Sequence, residues 1–127
     1  MIQGIQSALA GLAAASKRAD IAANNIANAR STGTLQPYGG FTPQQAVQTV
    51  TAAGTPRVVA RPLTPGHVAA YEPDSPDADA DGLIGAPNVD LAANIVELTL
   101  AEHAYKANAA TLRTIDEMAK ALYDDEV

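Results

Sequence analysis

The chain has no cysteine and no tryptophan, and only one phenylalanine and four tyrosines among its 127 residues. Without thiols there is no disulfide staple and no thiolate metal site, and the redox compartment is left open. So few aromatics leave little bulk for a large core. Positive charge is also scarce, with 8 Lys and Arg against 14 Asp and Glu and a formal net charge of −6. Phosphate binding needs a basic surface, so the charge argues against nucleic acid as a partner, none is expected, and polyanionic substrates are disfavoured. No apolar run approaches the roughly 20 residues of a membrane span, so no membrane insertion is expected. The alanine-rich start MIQGIQSALAGLAAASKR places its first positive charge, Lys17, after spaced apolar residues. It therefore reads as mature protein and not as a cleaved signal peptide.

Proline is absent from both ends. All eight prolines lie between Pro37 and Pro87, and seven of the nine glycines lie between Gly33 and Gly85. A proline inside a helix costs about 3 kcal/mol, so long helices are confined to the ends. The expected organisation is an N-terminal assembly helix over 1–30, a Pro/Gly-rich middle with short strands and an acidic turn over 31–90, and a C-terminal assembly helix with an acidic tail over 91–127.

In the first arm Ile2, Ile5, Leu9, Leu12, Ala19, Ala23 and Ile26 recur at steps of three and four, with Ser16 filling the gap. This is a narrow, alanine-rich heptad seam on a helix roughly 40 Å long. Gly33, in the stretch ARSTG, reads as its stop. In the second arm Leu91, Ile95, Leu98, Tyr105, Leu112 and Leu122 share a stripe roughly 50 Å long, with Asp90 placed to cap its start. The expected fold is α+β, with the two long terminal helices pairing as an antiparallel coiled coil. In the middle, alternation from Val47 to Ala52 and again over RVVA predicts a β-hairpin, and HVAAY from His67 a third strand. Tyr38, Phe41 and Tyr71 are the aromatic material for a core there. So small a middle cannot cover two apolar stripes, and helices this long gain most of their stability from packing. The chain is expected to complete its folding by assembling with other chains.

Candidate sites are few. DADADGLIGAPN places Asp77, Asp79, Asp81 and Gly82 as a calcium loop does, but its twelfth position is Asn88, which offers no bidentate carboxylate. Pro73 and Pro76 also remove the incoming helix. The sequence is better read as a solvated acidic turn leading into the last helix, whose dipole favours nearby negative charge. His67 and His103 form no metal motif, and Ser7, Ser16, Ser31 and Ser75 carry no nucleophile signature. No enzyme activity, cofactor or metal is expected. IAANNIANA stands out, because asparagine has poor helix propensity. Asn24 and Asn28 share a face, beside Asn25, and Asn108 echoes them in the other arm. Amides at such positions can fix the register of a helix–helix contact. The residues expected to form that interface are Ile5, Leu9, Leu12, Asn24, Asn25, Ile26, Asn28, Leu91, Ile95, Leu98, Tyr105, Asn108 and Leu112.

These same residues carry a family resemblance. SALAGLAAASKRADIAANNIANARSTG resembles the N-terminal signature of bacterial flagellar rod and hook proteins, with its core from Ala22 to Ala29 followed by Thr32 and Gly33. PNVDLAANIVELTLAEHAYKANAATLRTIDEM resembles their C-terminal signature, through Asn88, Val89 and Asp90 and through Ala104, Tyr105 and Asn108. The short middle is most similar to that of the proximal-rod members. The resemblance implies a non-enzymatic structural subunit of the basal-body rod that assembles helically through its terminal helices for motility. It further implies a periplasmic location, export by the flagellar type III apparatus without a cleaved signal, and other rod subunits as partners. The alternative is a small acidic calcium-binding or secreted interaction module.

Overall fold

A computed structural model describes residues 2–125, so Met1 and the last two residues of the expected acidic tail lie outside the described residues. The elements in order are α1 (Ile2–Ala27), β1 (Gln44–Val50), β2 (Pro56–Pro62), β3 (His67–Tyr71), β4 (Leu83–Pro87) and α2 (Leu91–Asp125). The helices run antiparallel, with Gly4 beside Ile115, Gly11 beside Asn108, Arg18 bonded to Glu97 and Asn25 bonded to Asn94. The α+β class with paired terminal helices follows the expectation.

The face that α1 turns inward does not. Its buried residues are Ala8, Ala15, Ile21, Ala22 and Asn25, whereas Ile2 and Leu9 are exposed. The contact line of Gly4, Ala8, Gly11, Ala15, Arg18, Ala22 and Asn25 is offset by one residue from the expected seam. α2 shows the same offset. Ala101 is buried, Asn94, Glu97, Leu98, Ala104, Asn108, Leu112 and Ile115 are half-buried, and Leu91, Ile95 and Tyr105 are exposed. The reason is distance. Helix axes approach closely only where side chains are small. A Cβ at Gly11 would stand 2.6 Å from Cγ of Asn108 and 2.7 Å from its Nδ2. The smallest residues therefore face the partner helix, and the larger apolar ones are displaced to the flanks.

The helix ends differ in how well they follow local chemistry. At the start of α2, Asp90 Oδ1 accepts from the backbone N–H of Ala93 at 2.9 Å, the cap expected there. α1 ends at Ala27 and not at Gly33. Asn28 Nδ2 donates to Asn24 O at 2.9 Å, the backbone N–H of Ser31 donates to Asn28 O at 3.0 Å, and among the described residues positive φ occurs only at Gly54 and Gly82. Gly33 serves close packing instead.

β1 and β2 form an antiparallel hairpin in register from Gln44↔Pro62 to Val50↔Pro56, closed by a turn in which Gly54 adopts φ 77°. Val58 is buried and shares a face with the half-buried Ala46 and Ala60; both strands pack on α1. β3 pairs with β4 from His67↔Pro87 to Tyr71↔Leu83. The β4 strand is absent from the sequence reading, because Gly85 and Pro87 look like turn residues, yet it holds Ile84, among the most buried side chains. The acidic turn is therefore the β3–β4 connection and does not lead into α2. The five residues of β4 separate the turn from the helix start by about 16 Å. Asp90 is the carboxylate that meets the α2 dipole.

The second hairpin is tied to the exit of α1 by a bridge, Gly33 N–H to Gly85 O at 3.0 Å and Gly85 N–H to Gly33 O at 2.8 Å. Tyr38 stacks on His67 with ring centroids 4.0 Å apart, and its hydroxyl donates to Phe41 O at 2.6 Å. Tyr71, expected in the core, is 74% exposed. Burial raises the Tyr38 pKa above the ordinary 10.0. The raised value means the fold favours the neutral phenol. That stability is complete below the unfolded pKa and is lost as pH rises through the folded one. An ultraviolet titration of the folded protein is expected to show one late-ionising tyrosine that Tyr38→Phe removes. A wild-type-like titration in that variant would contradict the burial argument.

Candidate assembly surface

Three elements meet at Asn25, which is 4% exposed. Its Nδ2 donates to Gln44 O at 2.7 Å and to Asn94 Oδ1 at 2.9 Å, while its Oδ1 accepts from the Gln44 backbone N–H at 3.0 Å. Asn94 Nδ2 in turn donates to Asp90 O at 2.8 Å. The Asn25 amide thus stands in for a neighbouring peptide at the start of β1, while also bonding α2. One asparagine fixes both the register of the helices and the entry of the first hairpin. Asn24 and Asn28 take no part, because their Nδ2 atoms donate to Asp20 O and Asn24 O of the same helix turn. Asn108 Nδ2 likewise donates to Ala104 O of its own helix, at 2.8 Å. Asn94 is the partner that the sequence reading missed; its spacing of four from Asp90 was the available signal.

Around this junction an open cleft of about 510 Å3 is lined by Arg18, Asn25, Gln44, Asn88, Asp90 and Glu97 among others. Arg18 and Glu97 form an ion pair within it, their side chains about one-third exposed, and Asp90 adds one further carboxylate. The hydrogen bond to Glu97 raises the Arg18 pKa against an opposing desolvation effect. Among the described residues, every buried side-chain nitrogen and oxygen has a hydrogen-bond partner. The cleft offers no nucleophile paired with a base. At the acidic turn, Asp79 Oδ1 accepts from the backbone N–H groups of Asp81 and Leu83, both at 2.9 Å, so its carboxylate shapes the turn. Among the described residues, no three side chains of His, Cys, Asp or Glu converge as a metal site.

The unusual feature is apolar. Leu91, Ile95, Val96 and Leu100 are all about half exposed or more, on the flanks and back of the first three turns of α2. A helix that is apolar on all sides belongs inside a larger packed body. At the other end α2 outruns α1. With positions 4 and 115 opposed, residues from Met118 onward have no described α1 residue opposite them. Leu122 and Tyr123 lie there, 57% and 75% exposed. On α1, Ile2 and Leu9 add to the exposed apolar surface. Of the residues expected at the interface, Asn25, Leu98, Asn108 and Leu112 lie along the intramolecular pairing. Leu9, Leu91 and Ile95 are exposed on the flanks, and Tyr105, about half exposed, lies beside Ala15, Ala19 and Leu98 at the edge of the pairing. No described helix is long and apolar enough to cross a membrane.

A short chain with paired terminal helices, a small β middle and apolar helix faces left uncovered has the build of a subunit of a larger helical assembly. A profile described as the Flagellar basal body rod FlgEFG protein C-terminal family matches residues 80–124. The flagellar basal-body rod protein FlgC of Salmonella typhimurium strain LT2 is 40% identical over 116 residues, covering 84% of each chain. FlgC of Agrobacterium fabrum strain C58 is 31% identical over 120 residues, covering 90% of this chain and 86% of its own. The chain belongs to the family of FlgC flagellar basal-body rod proteins and is a structural subunit of the basal-body rod.

Proposed function

We propose that the chain enters the rod through the apolar helix faces that its own fold leaves open, packing them against helices of neighbouring rod subunits in a helical array for flagellum-dependent motility. The observation that carries this reading is the exposure of Val96, at 58%, and Leu100, at 53%, in the first three turns of α2. A heterologous contact that does not close on itself propagates a filament. In this reading the arms over 1–30 and 91–127 are the assembly segments and 31–90 is the outer middle. The role is structural and not catalytic, the site of assembly is the periplasmic rod, and export runs through the flagellar type III apparatus without a cleaved signal. Support for that route comes from membership of the rod family.

Exposure also selects the variant that tests the reading. Leu98 lies half-buried in the intramolecular pair, so Leu98→Asp would damage the protomer itself. Leu100→Asp would not. The purified Leu100→Asp chain is expected to unfold within about 0.5 kcal/mol of wild type, as surface changes do. In cells it is expected to be made but to leave rods unassembled and cells non-motile. Normal motility in that strain would remove the open α2 face from the assembly.

A further inference from the structure

Charge is segregated along this chain. From Lys17 to Arg61 there are five cations, Lys17, Arg18, Arg30, Arg57 and Arg61, and a single acid, Asp20. From Pro62 to Tyr105 there is no lysine or arginine, but there are eight carboxylates, Glu72, Asp74, Asp77, Asp79, Asp81, Asp90, Glu97 and Glu102. The fold places Arg57 and Arg61 on the first hairpin, and Glu72, Asp74, Asp77, Asp79 and Asp81 on the connection of the second. The face of β1–β2 turned away from Val58 carries Gln45, Val47 and Thr49 opposite Arg61, Val59 and Arg57. Arg57 and Arg61 are exposed, about 13 Å apart along the strand, on a sheet face that no other element covers. The β3–β4 turn presents Glu72, Asp74 and Asp81 to solvent. Among the described residues, the ion pairs are Arg18–Glu97, Lys106–Glu102 and Lys120–Asp116, so neither hairpin neutralises the other within one protomer.

We propose that the Arg57/Arg61 face of the β1–β2 hairpin docks the acidic β3–β4 turn of a second copy of this chain, head to tail. Each copy carries one face of each sign, so the contact is heterologous and leaves a free face of each sign at the ends of a chain of copies. Val47 and Val59 supply an apolar strip between the arginines. The ion pairs are exposed, so their contribution is orientation and partner choice more than raw affinity, and salt weakens it. This inference rests on the rod-subunit reading but uses a different surface from the helical one. It states which side of the small middle meets its like neighbour.

The absence of cysteine makes the contact directly testable in the full chain. Arg61→Cys and Asp81→Cys are purified separately, mixed at high protein concentration and low ionic strength, and oxidised. The mixed disulfide dimer is expected to exceed that from Arg61→Cys mixed with Ser7→Cys by about tenfold, and to fall when salt is raised to screen the pairs. Arg57→Glu added to the first chain is expected to abolish the excess, and Asp74→Lys added to its partner to restore it. A mixed dimer no more abundant than the control, a predominance of Arg61→Cys homodimers, or a charge reversal that the second reversal fails to rescue would each overturn the proposal. Leu100→Asp added to both chains is expected to leave the mixed dimer intact. That separates failure of this contact from failure of the helical assembly.

Discussion

Asn25→Asp is expected to destabilise the folded chain by roughly 3 kcal/mol or more at neutral pH, because it strands a charge inside a network that needs donors. The native amide gives hydrogen bonds to Gln44 O and Asn94 Oδ1 and receives one from the Gln44 backbone N–H. A carboxylate keeps only the last of these. It faces two oxygens at a position 4% exposed to water. The penalty has a defined pH dependence. Burial and the two acceptors favour the protonated acid, so its folded pKa rises above the ordinary value of about 3.9. The protonated acid can donate one bond, so the loss relative to wild type is smallest below about pH 3.9 and grows as pH rises through the folded pKa. Asn25→Leu has no titrating group. It is expected to lose about 1–3 kcal/mol by orphaning the Gln44 N–H, with no such pH dependence. Urea unfolding of the three proteins at acidic and neutral pH checks this. Parallel losses for the two variants at both pH values would mean that the amide network does not hold the junction.

Gly33→Ala is expected to cost about 3 kcal/mol, from overpacking and from weakening a pair of backbone hydrogen bonds. Gly33 does not have a positive φ, so an alanine is conformationally acceptable and space alone excludes it. A Cβ there would meet the Gly39–Gly40 peptide, 2.9 Å from its carbonyl oxygen and closer still to its carbon and nitrogen. Backbone cannot swing aside as a side chain can. Gly85→Ala supplies the contrast, because its Cβ would meet the Tyr38 ring, 2.6 Å from Cδ2. A second change, Tyr38→Ala, is therefore expected to recover part of the Gly85→Ala loss and none of the Gly33→Ala loss. Thermal unfolding of the double-mutant cycle reads this. In Gly33→Ala, amide exchange is expected to accelerate across β3 and β4 while the helix pair stays protected, since this bridge, beside the Tyr38–His67 stack, ties the second hairpin to the exit of α1. Equal acceleration in both helices would show that the bridge is not a local tie.

Both predictions concern residues whose importance the sequence half revealed. A buried asparagine was visible as an anomaly in IAANNIANA, because three amides on one helix oppose helix propensity. Which one turns inward was not visible, since Asn25 stands about 100° from Asn24 and about 60° from Asn28 around the helix, and local spacing cannot say which direction faces the partner. The strand at Leu83–Pro87 was hidden for a related reason. Gly85 and Pro87 mark turns when read locally, but here the glycine admits the Tyr38 ring and the Gly33 backbone. Space around a residue is a property of what packs on it. The acidic turn shows the same limit. Its aspartates were legible as solvated charge, but their distance from α2 depended on an unseen strand.

By itself, the sequence determined the two long terminal helices, because proline is confined to the middle and its cost in a helix is local. It also determined the Asp90 cap, the hairpin of alternating residues and membership of the rod family, each carried by neighbours in the chain. Only the tertiary structure decided which helix faces meet. Periodicity marked the largest apolar residues as the seam, yet close approach selected glycine and alanine one position away. The axial distance between two helices is set by the bulk on both at once, and no single stretch of sequence contains that information. The same choice left Leu9, Leu91, Val96 and Leu100 facing outward, which is the surface we propose the rod covers.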